Sequence, residues 1–393
     1  MTNRWAVLGL LCFARVSMGL HFQSVAVVAP LLIESLGLTY AQLGVLIGLY
    51  TVPGIFLSLP GGLLAARFGD RAVVLGALGL LTVGGVLFAN SGSFAAVLLA
   101  RLIVGAGGVI LSVQLTKITT DWFAGKEIST ALGLLLAMWP LGLAVALATL
   151  GKLATTTSWR TAVYATSAYA ALSLLLVAVL YREPRLGGGE TRRPARWTIS
   201  RRELGLLTLC GLSWMFLNAG FIVFMSFAPT LLMDRGRSLP EAGFLLSWAS
   251  LVSIGSIPLA GYVVDRTRRA DLLIVAGSVA SAAVIFLFAA GEPALLWILL
   301  FGVVLGAPVP VVALPSEVLR PESRSTGFGV WQTVYHVGMA VVPPLAGFLL
   351  DVTRSARAPL VFAGVLWLLI IPPLVAFRSV TRRGVTAAAA PKL

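Results

Sequence analysis

The chain is poor in charge. Of its 393 residues, 11% are Asp, Glu, Lys or Arg, while 58% are hydrophobic. No Asp or Glu falls in the middle of an apolar run; Glu34, Glu241 and Glu317 lie near run ends. A buried acid of the kind that often carries a coupling proton or attracts a cationic cargo is therefore missing. The two cysteines, Cys12 and Cys210, both sit inside apolar runs, which excludes a disulfide framework or a cysteine metal site. No HExxH, GxSxG or phosphate-binding loop occurs, so no enzyme and no cofactor is expected. The longest polar stretch is 182–203, too short for the soluble extension a permease-like sensor would carry.

What is present is apolar length. Mean hydropathy is +0.96, and apolar runs fall at 5–34, 41–66, 72–90, 94–119, 127–150, 160–181, 204–232, 239–264, 271–290, 294–318, 327–350 and 358–377. Each is long enough to cross a hydrocarbon core of ~30 Å. In lipid every backbone polar group needs a partner within its own segment, so the runs are expected as helices. The first run continues past Arg15 without a convincing cleavage site and reads as a retained span. The expected fold is an all-α membrane protein, with twelve transmembrane helices in two pseudo-symmetric six-helix bundles. The divisions expected are a first bundle at 1–181, a cytoplasmic linker at 182–203, a second bundle at 204–377 and a cytoplasmic tail at 378–393.

The formal charge of +14 lies in short links rather than in a basic domain, which excludes a nucleic-acid partner and points to the lipid bilayer. With the N-terminus inside, cytoplasmic links and tails hold 20 of the 29 basic residues and the outer links hold 6. The positive-inside rule then puts both termini in the cytoplasm of a multi-pass cell-membrane protein, of the bacterial inner-membrane kind. A monomer is expected.

The halves repeat. A constant shift of 199 lays residues 15–71 over 214–270 without a gap. Phe22 meets Phe221, Ala29-Pro30 meets Ala228-Pro229, Gly37 meets Gly236, Gly44 meets Gly243, Gly62 meets Gly261, and Arg67 meets Arg266. Chance alignment of apolar helices matches Leu and Ala, not proline, loop glycine and terminal arginine together. Parallel six-helix repeats with a site between them are a recurrent transporter architecture.

The stretch GGLLAARFGDR supplies Gly62, Arg67, Gly69 and Arg71, with Ala66 and Asp70 at positions where a related pattern has an acid and a base. Its second copy, GYVVDRTRR, holds Gly261, Asp265, Arg266 and Arg269; RLIVGAGG holds Arg101, Gly105 and Gly107. Together with DWFAGKEISTALG and GFLLDVT, these segments resemble the major facilitator superfamily over essentially the whole chain. The resemblance implies the twelve-helix fold and alternating access. It also implies coupling or gating roles for Arg67, Asp70, Arg71, Arg101, Asp265, Arg266 and Arg269. MWPLG in the fifth run keeps Pro140 and Gly142 of the family's antiporter pattern but has Trp139 for a glycine, and the glycine-rich signatures of nitrate porters are missing.

Within the runs the deep charges are cationic. Arg15 lies about ten residues into the first and Arg101 about seven into the fourth. An arginine near the bilayer centre costs roughly 2.5–3.5 kcal/mol on insertion scales. Arg15 therefore faces a wet cavity, backbone carbonyls or an anion, or it snorkels to the interface. His21 and His336 are the only histidines and titrate near neutral pH when unperturbed. Tyr50, Gln114, Trp139, Asn218, Trp248, Gln332 and Tyr335 are mid-run polar or aromatic residues, and Trp214 matches Arg15 across the repeat. These eleven are the candidate substrate-binding set. A cationic wall facing an aromatic one suits an anion with a non-polar body. The expected function is secondary transport of a small organic or inorganic anion, with a proton or sodium ion as candidate coupling partner. The alternative is export of hydrophobic or cationic compounds.

Overall fold

A computed structural model describes residues 3–57, 67–124, 127–182, 199–320 and 323–389. Gly62, Ala66 and most of the 182–203 linker lie outside the described residues. Among those described there are no strands, and twelve helical stretches are long and apolar enough to cross a membrane. Spans 1 to 6 are Arg4–Val27, Tyr40–Leu57, Asp70–Asn90, Phe94–Trp122, Thr130–Thr156 and Trp159–Leu180. Spans 7 to 12 are Arg201–Asp234, Leu239–Thr267, Ala270–Ala290, Ala294–Val318, Thr326–Thr353 and Arg357–Arg382. With twelve spans, span 1 begins and span 12 ends on one face, here called the terminal face; the opposite face is the far face.

Three boundaries differ from the sequence expectation. The first run breaks at Val28, and a short helix, Ala29–Leu36, follows with Pro30 in its first turn. Proline lacks the N–H that would continue the ladder from span 1, and it fits a helix start. Span 7 begins at Arg201 instead of 204, because Ser200 and Glu203 form a reciprocal capping box. The last helix runs on to Ala389, through most of the stretch expected as a tail.

The repeat is visible in the turns. Gly37 (φ 62°) and Gly236 (φ 85°) occupy equivalent left-handed positions that glycine adopts without strain. Two residues later, Thr39 and Ser238 cap the next span, with Gln42 and Glu241 closing each capping box. One hairpin design is thus used twice on the far face. Span 2 is interrupted at Tyr50-Thr51 and span 12 at Leu369-Ile370, while span 10 is divided into three: a helix over Ala294–Val304, a 3-10 turn over Val309–Ala313, then a helix over Leu314–Val318. Pro308, Pro310 and Pro315 remove three ladder donors there.

The far halves of the bundles close on each other along two related seams. Span 2 crosses span 11, and a side chain at Gly44 would strike the Pro343 carbonyl, at Gly48 the Met339 carbonyl, and at Gly347 the Tyr40 carbonyl. Span 8 crosses span 5, where Gly243 faces the Leu147 carbonyl and Gly151 faces Leu239. Without a hydrophobic drive between helices in lipid, close backbone approach supplies the packing, and at Gly44, Gly48, Gly243 and Gly347 only glycine allows it. Among the described residues, three hydrogen bonds also join the two bundles here. Asp351 accepts from the Tyr40 and Ala41 N–H groups at 3.0 and 2.8 Å, and Gln23 donates to the Met225 carbonyl at 3.1 Å. At the terminal face the ion pairs stay within bundles: Lys117 with Asp70 and Asp121, Arg320 with Glu203, and Arg378 with Asp271 and Glu317.

Candidate functional site

Between the bundles lies a cavity of about 720 Å³. The seams shut it off from the far face, and its walls continue toward the terminal face as far as Thr116 on span 4 and Gly133 on span 5. Each bundle contributes one aromatic wall. On the first, Phe22 packs edge-on to Tyr50 (centroids 5.2 Å apart) and against Trp139 (5.3 Å). On the second, Trp214 stacks on Trp331 at 5.4 Å and 25°, with Tyr335 next to Trp214 and His336 next to Tyr335.

The electrostatics are one-sided. Arg15 is the only Lys, Arg, Asp or Glu among the described lining residues. It is 6% exposed, and its Nε and Nη1 have no hydrogen-bond partner. The indole N–H of Trp331, on the opposite wall, is also buried without a partner. An unpaired buried guanidinium is costly, because desolvation is not offset by bonding. A ligand that accepts from it removes that cost. The cavity therefore places one unpaired cation in a lining of aromatic, aliphatic and a few uncharged polar side chains.

Eight of the eleven binding residues expected from sequence line this cavity: Arg15, Tyr50, Trp139, Trp214, Asn218, Gln332, Tyr335 and His336. Three do not, because helical phase turns them elsewhere. His21 is sealed inside the first bundle, 3.4 Å from the Thr166 hydroxyl and packed against Gly85. Gln114 donates to Asp70 at 2.6 Å, next to Lys117 on the terminal side. Trp248 is 40% exposed on the outside of span 8, near Phe244. Two lining aromatics fell outside the sequence set. Phe22 lies seven residues after Arg15 and Trp331 four before Tyr335, spacings that share a helix face and would have flagged both.

Tyr50 is held by a socket on span 4. A side chain at Gly105 would strike the Tyr50 carbonyl, and one at Gly108 the Tyr50 hydroxyl. The Arg101 guanidinium lies 4.9 Å from the Tyr50 ring centre. Arg101 is fully buried and donates Nε to the Leu46 carbonyl (2.9 Å), Nη1 to His21 (2.6 Å) and Nη2 to Phe22 (2.9 Å). Span 4 thereby clamps spans 1 and 2 through backbone carbonyls. Among the other expected gating residues, Asp70 pairs with Lys117 at 2.8 Å and Arg71 donates to the Ala178 carbonyl. Arg67 lies against its neighbour Phe68, and Asp265, Arg266 and Arg269 are exposed at the terminal end of span 8. Among the described residues no group of three or more His, Cys, Asp or Glu is placed to hold a metal ion.

Comparison with known proteins agrees with this architecture. Residues 11–313 and 215–392 match the sequence family Major Facilitator Superfamily. The 3-(3-hydroxy-phenyl)propionate transporter of Escherichia coli (strain K12) is 25% identical over 352 residues, 86% of each chain. Among solved structures, the xylose transporter XylE from E. coli in an inward open conformation superposes with a TM-score of 0.80 at 14% identity, covering 95% of this chain and 96% of that one. A mutant of the nucleoside transporter NupG gives 0.77 at 14% identity, covering 96% and 100%. The two solved structures share the fold, and the family match spans nearly every residue: the chain belongs to the Major Facilitator Superfamily and is a multi-pass membrane transporter of small solutes, not an enzyme.

Proposed function

We propose that the chain carries an organic monoanion with a flat apolar body, an aromatic or similar monocarboxylate, by alternating access of the two bundles. The observation that carries this reading is the unpaired Arg15 guanidinium in a cavity with no carboxylate among its described lining residues. One cation matches one negative charge. A dianion would leave its second charge uncompensated in a low-dielectric enclosure. The facing aromatic walls suit a planar cargo. The E. coli relative, named for a phenylpropionate bearing one hydroxyl, is consistent in chemistry. The excess of Lys and Arg on the terminal face supports a cytoplasmic orientation for that face. The cavity is then open inward, with the far-face seams closing the outside.

The test is a thermal-shift screen of purified protein against benzoate, 3-phenylpropionate, phthalate, nitrate and a set of lipophilic cations, with Arg15→Gln in parallel. A ligand at 100 times its Kd stabilises the folded state by about 2.7 kcal/mol, a rise of a few degrees in Tm. The expected result is stabilisation by the monocarboxylates, little by phthalate, and none in Arg15→Gln. Stabilisation by lipophilic cations alone transfers the reading to an exporter.

A further inference from the structure

The two histidines are in opposite situations. His21 Nε2 is buried without a partner inside the first bundle, closed off from the cavity. His336, on span 11, lines the cavity alongside Arg15. Its Nδ1 lies 2.8 Å from the Gln332 carbonyl. A carbonyl only accepts, so Nδ1 carries the proton and Nε2 is left as the free, basic nitrogen. The ring packs directly against Gly54 of span 2, where any larger residue would displace it. It thus stands at the junction of the bundles, beside the break in span 2 at Tyr50-Thr51. The titratable or charged groups around it are Arg15 on span 1, Tyr50 on span 2 and Tyr335 on its own span. The lining parts of spans 4, 5, 7, 8 and 10 contribute none.

We infer that His336 is the coupling residue: its Nε2 takes up one proton when the anion binds, which makes the carrier a proton–anion symporter. This rests on the monoanion reading. The empty cavity holds one positive charge, on Arg15. A bound monoanion brings this to zero, and protonation of His336 restores it to one. The loaded and empty carriers then cross the membrane with the same charge, so the cycle as a whole is electroneutral. The anion and the proton attract each other across the shared cavity, and by linkage each tightens the binding of the other equally. Arg15 cannot serve this purpose, since guanidinium stays protonated at any working pH. With no carboxylate in the lining, the imidazole is the one group there whose ordinary titration range spans neutral pH.

Because the protein has only two histidines, histidine labelled with carbon-13 at Cε1 gives two ring signals in the purified protein. His336→Gln assigns one by its loss. The probe is 3-phenylpropionate, or whichever monocarboxylate of the screen stabilises best. The expected result is that the His336 signal titrates and its midpoint rises by at least one pH unit on saturation with the anion, while the His21 signal stays fixed. By the same linkage, parent affinity for the anion falls at least tenfold between pH 5.5 and 8.5, and His336→Gln binds with a flat profile. A His336 midpoint that ignores the anion, or an unchanged pH slope in His336→Gln, overturns the symport inference and leaves the Arg15 reading standing. If no anion binds, the Arg15 reading fails and this inference falls with it.

Discussion

The far-face seams make a quantitative prediction about which way the carrier faces. At Gly44 an added methyl would meet the Pro343 carbonyl carbon and oxygen and the Pro344 Cα, all backbone atoms of span 11. No flexible side chain is there to yield, so Gly44→Ala forces spans 2 and 11 apart while the far face is closed. Overpacking of this kind costs about 1–3 kcal/mol. The crossing opens when the far face opens, so the cost falls on the closed state alone. A differential of that size shifts the equilibrium toward the outward-open state by roughly 5- to 150-fold. The related crossing gives the same expectation for Gly243→Ala, which meets the Leu147 carbonyl. Spin labels at Thr156→Cys and Arg237→Cys, with Cys12→Ser and Cys210→Ala removing the native thiols, report the separation across spans 5 and 8 by pulsed electron resonance. Both positions are exposed on the far face. Each glycine variant should enrich the longer-distance population. A distribution unchanged in both variants, or one narrowed toward the short distance, refutes the claim that these glycines set the closed state.

Further outcomes follow from the same geometry. Arg101→Met removes the three guanidinium bonds that tie span 4 to carbonyls of spans 1 and 2 and should lower Tm by several degrees; Arg101→Lys should not restore it, because an ammonium lacks the planar fork that reaches all three. Asp265→Asn should slow uptake into proteoliposomes while leaving insertion and anion-induced stabilisation intact; Asp265 is exposed here at the open face, so it acts in the opposite state or not at all. Wild-type uptake in that variant removes it from the gate. The double exchange Arg15→Trp with Trp214→Arg should recover the anion-induced thermal shift that Arg15→Trp alone abolishes, because the two residues occupy equivalent sites on the cavity wall.

The fold was legible because lipid leaves few choices. Twelve apolar runs and a polar link between the sixth and seventh define the spans, and loop glycines in register expose the duplication before any coordinates. The misses have local causes. Composition does not say whether a proline breaks a helix: Ala29-Pro30 interrupts the first run, while the equivalent Ala228-Pro229 lies inside an unbroken span 7. Much of the site was legible too, since long apolar helices tolerate few polar residues and most of those are needed. What sequence could not resolve was helical phase. Gln114 follows the lining residue Val113 by one position, and His21 precedes Phe22 by one, yet a rotation of about 100° per residue turns each away from the cavity. Arg101 shows the complementary limit: its charge marked it as functional, but its three carbonyl partners are on other spans and leave no local signature.

The halves agree where motion needs them to agree and differ where chemistry does. The glycine crossings are duplicated: spans 2 and 11 meet in the same manner as spans 8 and 5. The linings are not duplicated. Arg15 on one wall is answered by Trp214 on the other, which gives a single charge facing an aromatic surface. A duplicated scaffold thus acquires an asymmetric cavity through one unmatched arginine.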